Sequence, residues 1–175
     1  MLKPEDAKTL IAEGRRLRAG GDRIASLKAF KEATQVDPSN AVGFIECGYD
    51  HLGIEEIAEA REAFEQGLAL DRDNKAALIG LGHTFRHLSE LDSAEKAFRR
   101  VIELEPTHAD ANIGLGYSLK SLSRHEEALQ AFHAAARAHP SDAKLKVEIA
   151  HLLRELGRTD EAISAIFQGL PAVDS

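Results

Sequence analysis

Large apolar residues recur along the chain at a fixed spacing. Phe30, Phe64, Phe98 and Phe132 stand 34 residues apart, and Ile166 occupies the fifth place in the series. Four residues before each comes a small residue: Ser26, Ala60, Ala94, Ala128 and Ala162. Twelve residues earlier still stand Gly14, Gly48, Gly82, Gly116 and Ala150. The stretches between them are polar on one face, which is the pattern of amphipathic helices. The phrase AFKEATQVDPSN (29–40) returns as AFEQGLALDRDN (63–74), AFRRVIELEPTH (97–108) and AFHAAARAHPSD (131–142). Prolines close it at positions 38, 106 and 140, with Arg72 in the corresponding place of the second copy. Proline cannot continue a helix, so each copy predicts a helix end. The period divides the chain into units 7–40, 41–74, 75–108, 109–142 and an atypical 143–175, each predicted to hold two helices.

A glycine in mid-helix costs about 1 kcal/mol against alanine, so its recurrence needs a packing reason. The expectation is that it faces the small residue of the second helix, letting the two backbones approach while the phenylalanine fills the space alongside. One such helix pair cannot bury its apolar face, so neighbouring units must stack.

These features resemble the tetratricopeptide repeat family, whose 34-residue signature places small residues at positions 8 and 20 of a helix–turn–helix. The resemblance covers residues 7 to about 170. It implies one array over 1–175: an all-α, right-handed α-solenoid of about five stacked helix pairs. Departures are Glu13, which stands where the family has a large apolar residue, Arg72, and the polar Lys144 and Lys146 that open the fifth unit.

Composition removes several function classes. The chain has 175 residues and a formal charge of −7, which argues against general nucleic-acid binding and against adsorption to a membrane surface. Its opening residues MLKPEDAKTL carry charges where a signal peptide needs an apolar core. Cys47 is the one cysteine, which fits a reducing compartment, and a cytoplasmic location is expected.

Candidate chemistry is sparse. The glycine pairs in IGLGH (79–83) and IGLGY (113–117) lack the preceding strand and third glycine of a phosphate loop. His83 and His87 have a spacing that can hold zinc, but no acid or cysteine lies close in sequence, so solvated histidines are expected. Cys47 shares its repeat position with Leu81, Leu115 and Ile149 and reads as a small apolar residue. No arrangement requires catalysis, metal or cofactor, and an enzyme is not expected.

The resemblance implies a concave wall built by the first helix of each unit, through positions 2, 5, 6, 9, 12 and 13. Ile45, Ile79 and Ile113 then form an apolar stripe. Tyr49, His83, Tyr117 and His151, with Arg15, form a second. Arg18, Arg86, Lys120 and Arg154 form a cationic third. The six wall positions carry seven cations and four anions, a net +3 within a chain of −7. A positive groove in a negative protein concentrates an acidic ligand. The family's two-carboxylate clamp for acidic chaperone tails finds its residues in neither register: one presents Ile11, Arg15, Glu46, Ala76 and Gly80. The other presents Ile45, Tyr49, Gly80, Asp110 and Gly114.

The expected function is a non-catalytic protein-interaction adaptor that captures an acidic, partly apolar peptide or helix. The alternative is the recruiting or dimerising segment of a larger enzyme, such as a transferase, with an incidental groove. A second contact is expected at the C-terminal end, where Ile163, Ile166, Phe167 and Leu170 are apolar and nothing in the sequence stacks on them. The counterparts of Phe167 are Lys31, Glu65, Arg99 and His133. A homodimer or a following helix would cover this face.

Overall fold

A computed structural model describes residues 4–167, and ten α-helices run in chain order through them with no strand among the described residues. They are α1 (Pro4–Ala19), α2 (Arg23–Val36), α3 (Ala41–Gly53), α4 (Ile57–Leu70), α5 (Lys75–His87), α6 (Leu91–Leu104), α7 (Ala109–Ser121), α8 (His125–Ala138), α9 (Ala143–Glu155) and α10 (Thr159–Phe167). The chain divides into two compact units, 1–97 and 98–175.

Local chemistry sets the boundaries. The last residue of the recurring phrase caps the helix that follows. Asn40 accepts from the Val42 amide, Asn74 from Ala77, His108 from Ala111, and Asp142 from Lys144 and Leu145. These caps satisfy amides that the first helical turn leaves without partners. α4 ends at Leu70 although Arg72 replaces the proline, because the Asp71 amide folds back onto the Gly67 carbonyl and Asn74 starts α5.

The turns inside the helix pairs follow one scheme. Gly21, Glu55, Ser89, Ser123 and Gly157 all have φ between 59° and 88°. The amide after each reaches five residues back, as from Glu90 to Phe85 at 2.8 Å and from Arg124 to Leu119 at 2.9 Å. The left-handed residue's own amide bonds three residues back, as from Ser89 to Arg86 at 3.0 Å. This is the Schellman closure, and three of its five left-handed positions are not glycine.

In the first unit α1 packs on α2, α2 on α3, α3 on α4, and α4 on α5. One cluster joins Ala7, Ile11, Leu27, Phe30, Ala33 and Cys47; another joins Ile45, Ala60, Phe64, Ala77 and Leu81. In the second unit α7 packs on α8, α8 on α9, and α9 on α10.

The glycines face phenylalanine rings rather than the small residues opposite, which differs from the sequence expectation. A Cβ on Gly48 would stand 2.8 Å from the Phe64 ring, and one on Gly116 would stand 2.8 Å from Phe132. The second glycine of each pair serves the ring of the preceding repeat. Gly80 lies against Phe64 and Gly114 against Phe98, where a Cβ would come within 2.2 and 2.4 Å. The glycine-x-glycine pattern therefore clears space for rings.

Candidate functional site

In the first unit a cleft of about 440 Å³ is lined by Arg15, Arg18, Val42, Ile45, Glu46, Tyr49, Asn74 and Ala76. Four of these, Arg15, Arg18, Ile45 and Tyr49, are residues the sequence pointed to. α3 supplies the wall. Its capping Asn40 starts it, and Gly43 lets it close onto Thr34 of α2, whose methyl would sit 3.0 Å from a Cβ there. Tyr49 is held at both ends. Its ring meets Phe64 edge-on at 5.0 Å, and its hydroxyl donates to the Ala76 carbonyl at 2.7 Å.

The cations of this cleft are already partnered across the joint between α1 and α3. Arg15 Nε donates to Glu46 Oε1 at 2.6 Å. Arg18 Nη1 donates to Glu46 Oε2 at 2.6 Å, and its Nε to Asp50 Oδ1 at 2.7 Å. Asp50 is completely buried, accepts a hydrogen bond from the Ser26 hydroxyl, and has Arg23 Nη1 at 3.6 Å. Burial opposes the Arg18 charge, but the hydrogen bonds and charges of Asp50 and Glu46 outweigh it and hold its pKa above the ordinary value. The guanidinium also lies over the Phe30 ring, 4.8 Å from its centroid.

Arg18 is therefore a joint-forming residue. Arg15 keeps most of its side chain at the rim of the cleft. Asp50 and Ser26 were missed by sequence reasoning, which counted only wall positions. The available signal was position 10 of the repeat, which reads Arg16, Asp50, Thr84, Ser118 and Leu152. Asp50 is the one acid there, one period after a basic neighbour at position 12.

The other predicted wall residues fall into separate places. Ile79 is buried in α5, and His83 and Arg86 are half-buried on the same helix. In the second unit Ile113 is half-buried. Tyr117 and Lys120 converge on Glu148 of α9, with contacts of 3.3 and 2.7 Å. Tyr117 stacks edge-on against Phe132 at 5.1 Å, as Tyr49 does on Phe64.

His151 and Arg154 line a second cavity of about 310 Å³ with Val147, Ala150, Thr159, Ala162, Ile163 and Ile166. Residues assigned from sequence to a groove and to a terminal contact thus share one surface. The side chain of Phe167, and Leu170 altogether, lie outside the described residues.

Reactive chemistry is thin. Cys47 is buried, and burial pushes its thiol up to about 12, so it carries no thiolate at neutral pH. Among the described residues no group of three or more His, Cys, Asp or Glu could hold a metal ion. No helix among them is long and apolar enough to cross a membrane.

Comparison with known proteins places this architecture. The tetratricopeptide repeat family profile matches residues 48–112, 85–143 and 113–174. The chain belongs to the tetratricopeptide repeat family, an α-solenoid fold class of protein-interaction scaffolds. Among solved structures it is similar to a crystal structure of MamA, with 25% identity, a TM-score of 0.80, and coverage of 87% of this chain and 90% of that one. It is similar in fold to MamA from Desulfovibrio magneticus RS-1, with 17% identity, a TM-score of 0.84, and coverage of 93% and 92%. It shares its fold with a thermophilic TPR protein of Thermus thermophilus, with 17% identity, a TM-score of 0.72, and coverage of 95% and 93%. No curated protein sequence matches.

Proposed function

We propose that the chain is a non-catalytic adaptor, working in the cytoplasm, that holds an acidic and partly apolar protein segment in its first-unit cleft. The observation that carries this reading is the pairing of an apolar wall with one outward guanidinium. Val42 and Ala76 offer carbon surface with the buried Ile45 behind them, and Arg15 stands exposed at the rim beside it. Glu46, itself held by Arg18, takes Arg15 through Nε and Nη2, so the donors on the outer edge of the guanidinium are presented to a ligand with little further ordering. Arginine suits this role because its planar fork matches a carboxylate in two-point contact.

The cleft selects a carboxylate next to a branched or aromatic side chain. It is less positive than the wall count suggests, because Glu46 and Asp50 offset Arg15 and Arg18. Recognition therefore rests on apolar contact as much as on charge.

Fluorescence anisotropy with short labelled peptides alternating Glu and Leu, and with Lys-for-Glu counterparts, tests this. The acidic series binds more tightly, and added salt weakens it as exposed charges are screened. Arg15→Glu and Val42→Glu each weaken it by about fivefold, equivalent to about 1 kcal/mol, with unchanged helical content. Equal binding of the lysine series, or indifference to both substitutions, overturns the reading.

A further inference from the structure

The face formed by α9 and α10 has counterparts in the earlier repeats, and there it is covered. At position 5 of the repeat Ile11, Ile45 and Ile79 are 6%, 5% and 9% exposed, whereas Val147 is 60% exposed. At position 24 the four phenylalanines are fully buried, whereas Ile166 is 50% exposed. Ile163 beside it is 52% exposed. Apolar exposure concentrated on one face marks a contact surface.

The joints inside each unit show what fits such a face. The covering element is a 13-residue helix, as α3, α5 and α9 are. It lays a small or apolar residue against the second helix beneath, as Gly43 does on Thr34 and Gly80 on Phe64. In two joints it also brings a glutamate to the cation at position 12. Arg18 meets Glu46 at 2.6 Å, and Lys120 meets Glu148 at 2.7 Å. Arg154 holds the same position, is exposed, and has no ion-pair partner among the described residues. His151, one turn before it, has Nδ1 at 3.3 Å from Glu155 Oε1 but without a hydrogen bond. The face thus repeats the apolar floor and the cation of an internal joint.

The α1 helix of a second copy does not match such a cover. At position 7 the covering helices carry buried Cys47, Leu81 and Ile149. α1 carries Glu13 there, bound to its own Arg16 at 2.6 Å.

We propose that the α9–α10 face docks an amphipathic helix from another protein. That helix carries a small or apolar residue, a glutamate three residues later for Arg154, and an apolar residue directly after it. The pattern is that of Gly43, Glu46 and Cys47. This surface is independent of the first-unit cleft and of the function proposed for it.

The test uses the full chain and a fluorescein-labelled, helix-stapled peptide with the sequence of α3, Ala41–Gly53, carrying Ala in place of Cys47. Saturable binding is expected, and Ile163→Glu or Ile166→Glu weakens it by about tenfold or more. Arg154→Glu weakens it similarly, and a Glu46→Lys peptide regains the loss on that variant but not on the unaltered protein. Binding untouched by Ile163→Glu and Ile166→Glu places the peptide elsewhere and overturns the proposal. Sedimentation that shows a dimer broken by Ile166→Glu assigns the face to a second copy and also overturns it. So does a Leu170→Asp variant that binds about tenfold more tightly, because the chain's own tail then occupies the face.

Discussion

Replacing Gly80 by alanine sets two well-known effects against each other. Helix propensity favours alanine over glycine by about 1 kcal/mol in a helix interior. Packing opposes it, because the new methyl would lie 2.2 Å from Phe64 Cζ and 2.4 Å from Cε1. Carbon atoms rest at about 3.5–4.0 Å, so the ring must move by more than about 1 Å. It has little freedom to do so. Phe64 is fully buried, Gly48 closes on its other side with a virtual Cβ at 2.8 Å, and Tyr49 meets its edge at 5.0 Å. Overpacking of this kind costs about 1–3 kcal/mol, and a ring held on both sides belongs at the upper end. The net expectation is a loss of about 2 kcal/mol, or a fall in Tm of about 4–8 °C for a chain of this size. Urea and thermal denaturation followed by circular dichroism measure it. Phe64→Leu supplies the internal control: in that background the clash is gone, and Gly80→Ala turns neutral or stabilising. A Gly80→Ala protein that is more stable than its parent, with Phe64 in place, refutes the account of the glycine pairs.

The left-handed turn residues give a change of opposite sign: Ser89→Gly and Ser123→Gly each stabilise by about 0.5–1 kcal/mol, the relief of αL strain less the added freedom of the unfolded chain. Gly157→Ala, at φ 76° with no atom near its side chain, destabilises by about 1 kcal/mol, and urea melts check all three. Because the Cys47 thiol is pushed up to about 12 when folded, the unfolded chain loses that proton first as pH rises. Stability therefore falls by up to about 1.4 kcal/mol per pH unit between about pH 8.5 and 12, and melts of Cys47→Ala lack that component. Removing one partner of the buried Asp50 pair, as Arg18→Met does, costs about 3 kcal/mol, and adding Asp50→Thr to Arg18→Met recovers most of it; a double variant as unstable as the single one refutes the pairing.

The fold was legible because its signal is periodic. A phenylalanine at the same place in four of the five units, with a small residue four positions before it, reflects local chemistry repeated along the chain, and each repetition reinforces the others. The turn between paired helices was less legible, because Glu55, Ser89 and Ser123 adopt a backbone usually marked by glycine. Surrounding hydrogen bonds hold them there, and no composition rule signals that. The cleft was legible in part. Arg15, Arg18, Ile45 and Tyr49 are wall residues by the family resemblance, which assigns the first helix of each unit to the wall, and α1 and α3 bring them to one cleft. What the register could not show was where their charges go. A cation count treats Arg18 as facing solvent, whereas the joint turns it onto Asp50, an acid outside the wall positions. The shared surface of His151, Arg154, Ile163 and Ile166 was not legible for a related reason: it is formed where α9 and α10 meet, and the repeat period does not show which side chains of two helices converge.

The Arg18–Asp50 joint also bears on how similar helices find their proper neighbours. Stacked repeats with interchangeable joints invite slips of a whole period, since any first helix could cover any second helix. The joints in the first unit are not interchangeable. α3 brings a buried carboxylate that needs Ser26 and Arg18 beneath it, and both belong to the first helix pair. Placed on the next pair it would face Ala60 and Leu52, which offer no donor from their side chains. α5 brings Thr84, whose hydroxyl bonds within its own helix to Gly80 at 2.8 Å and would leave Arg18 without its acid. Either misplacement isolates a charge at the helix interface, which costs several kcal/mol, while the correct pairing adds little over an apolar joint. The expected role of the buried pair is therefore to penalise wrong stacking. Its contribution is discrimination between joints whose apolar parts are nearly the same.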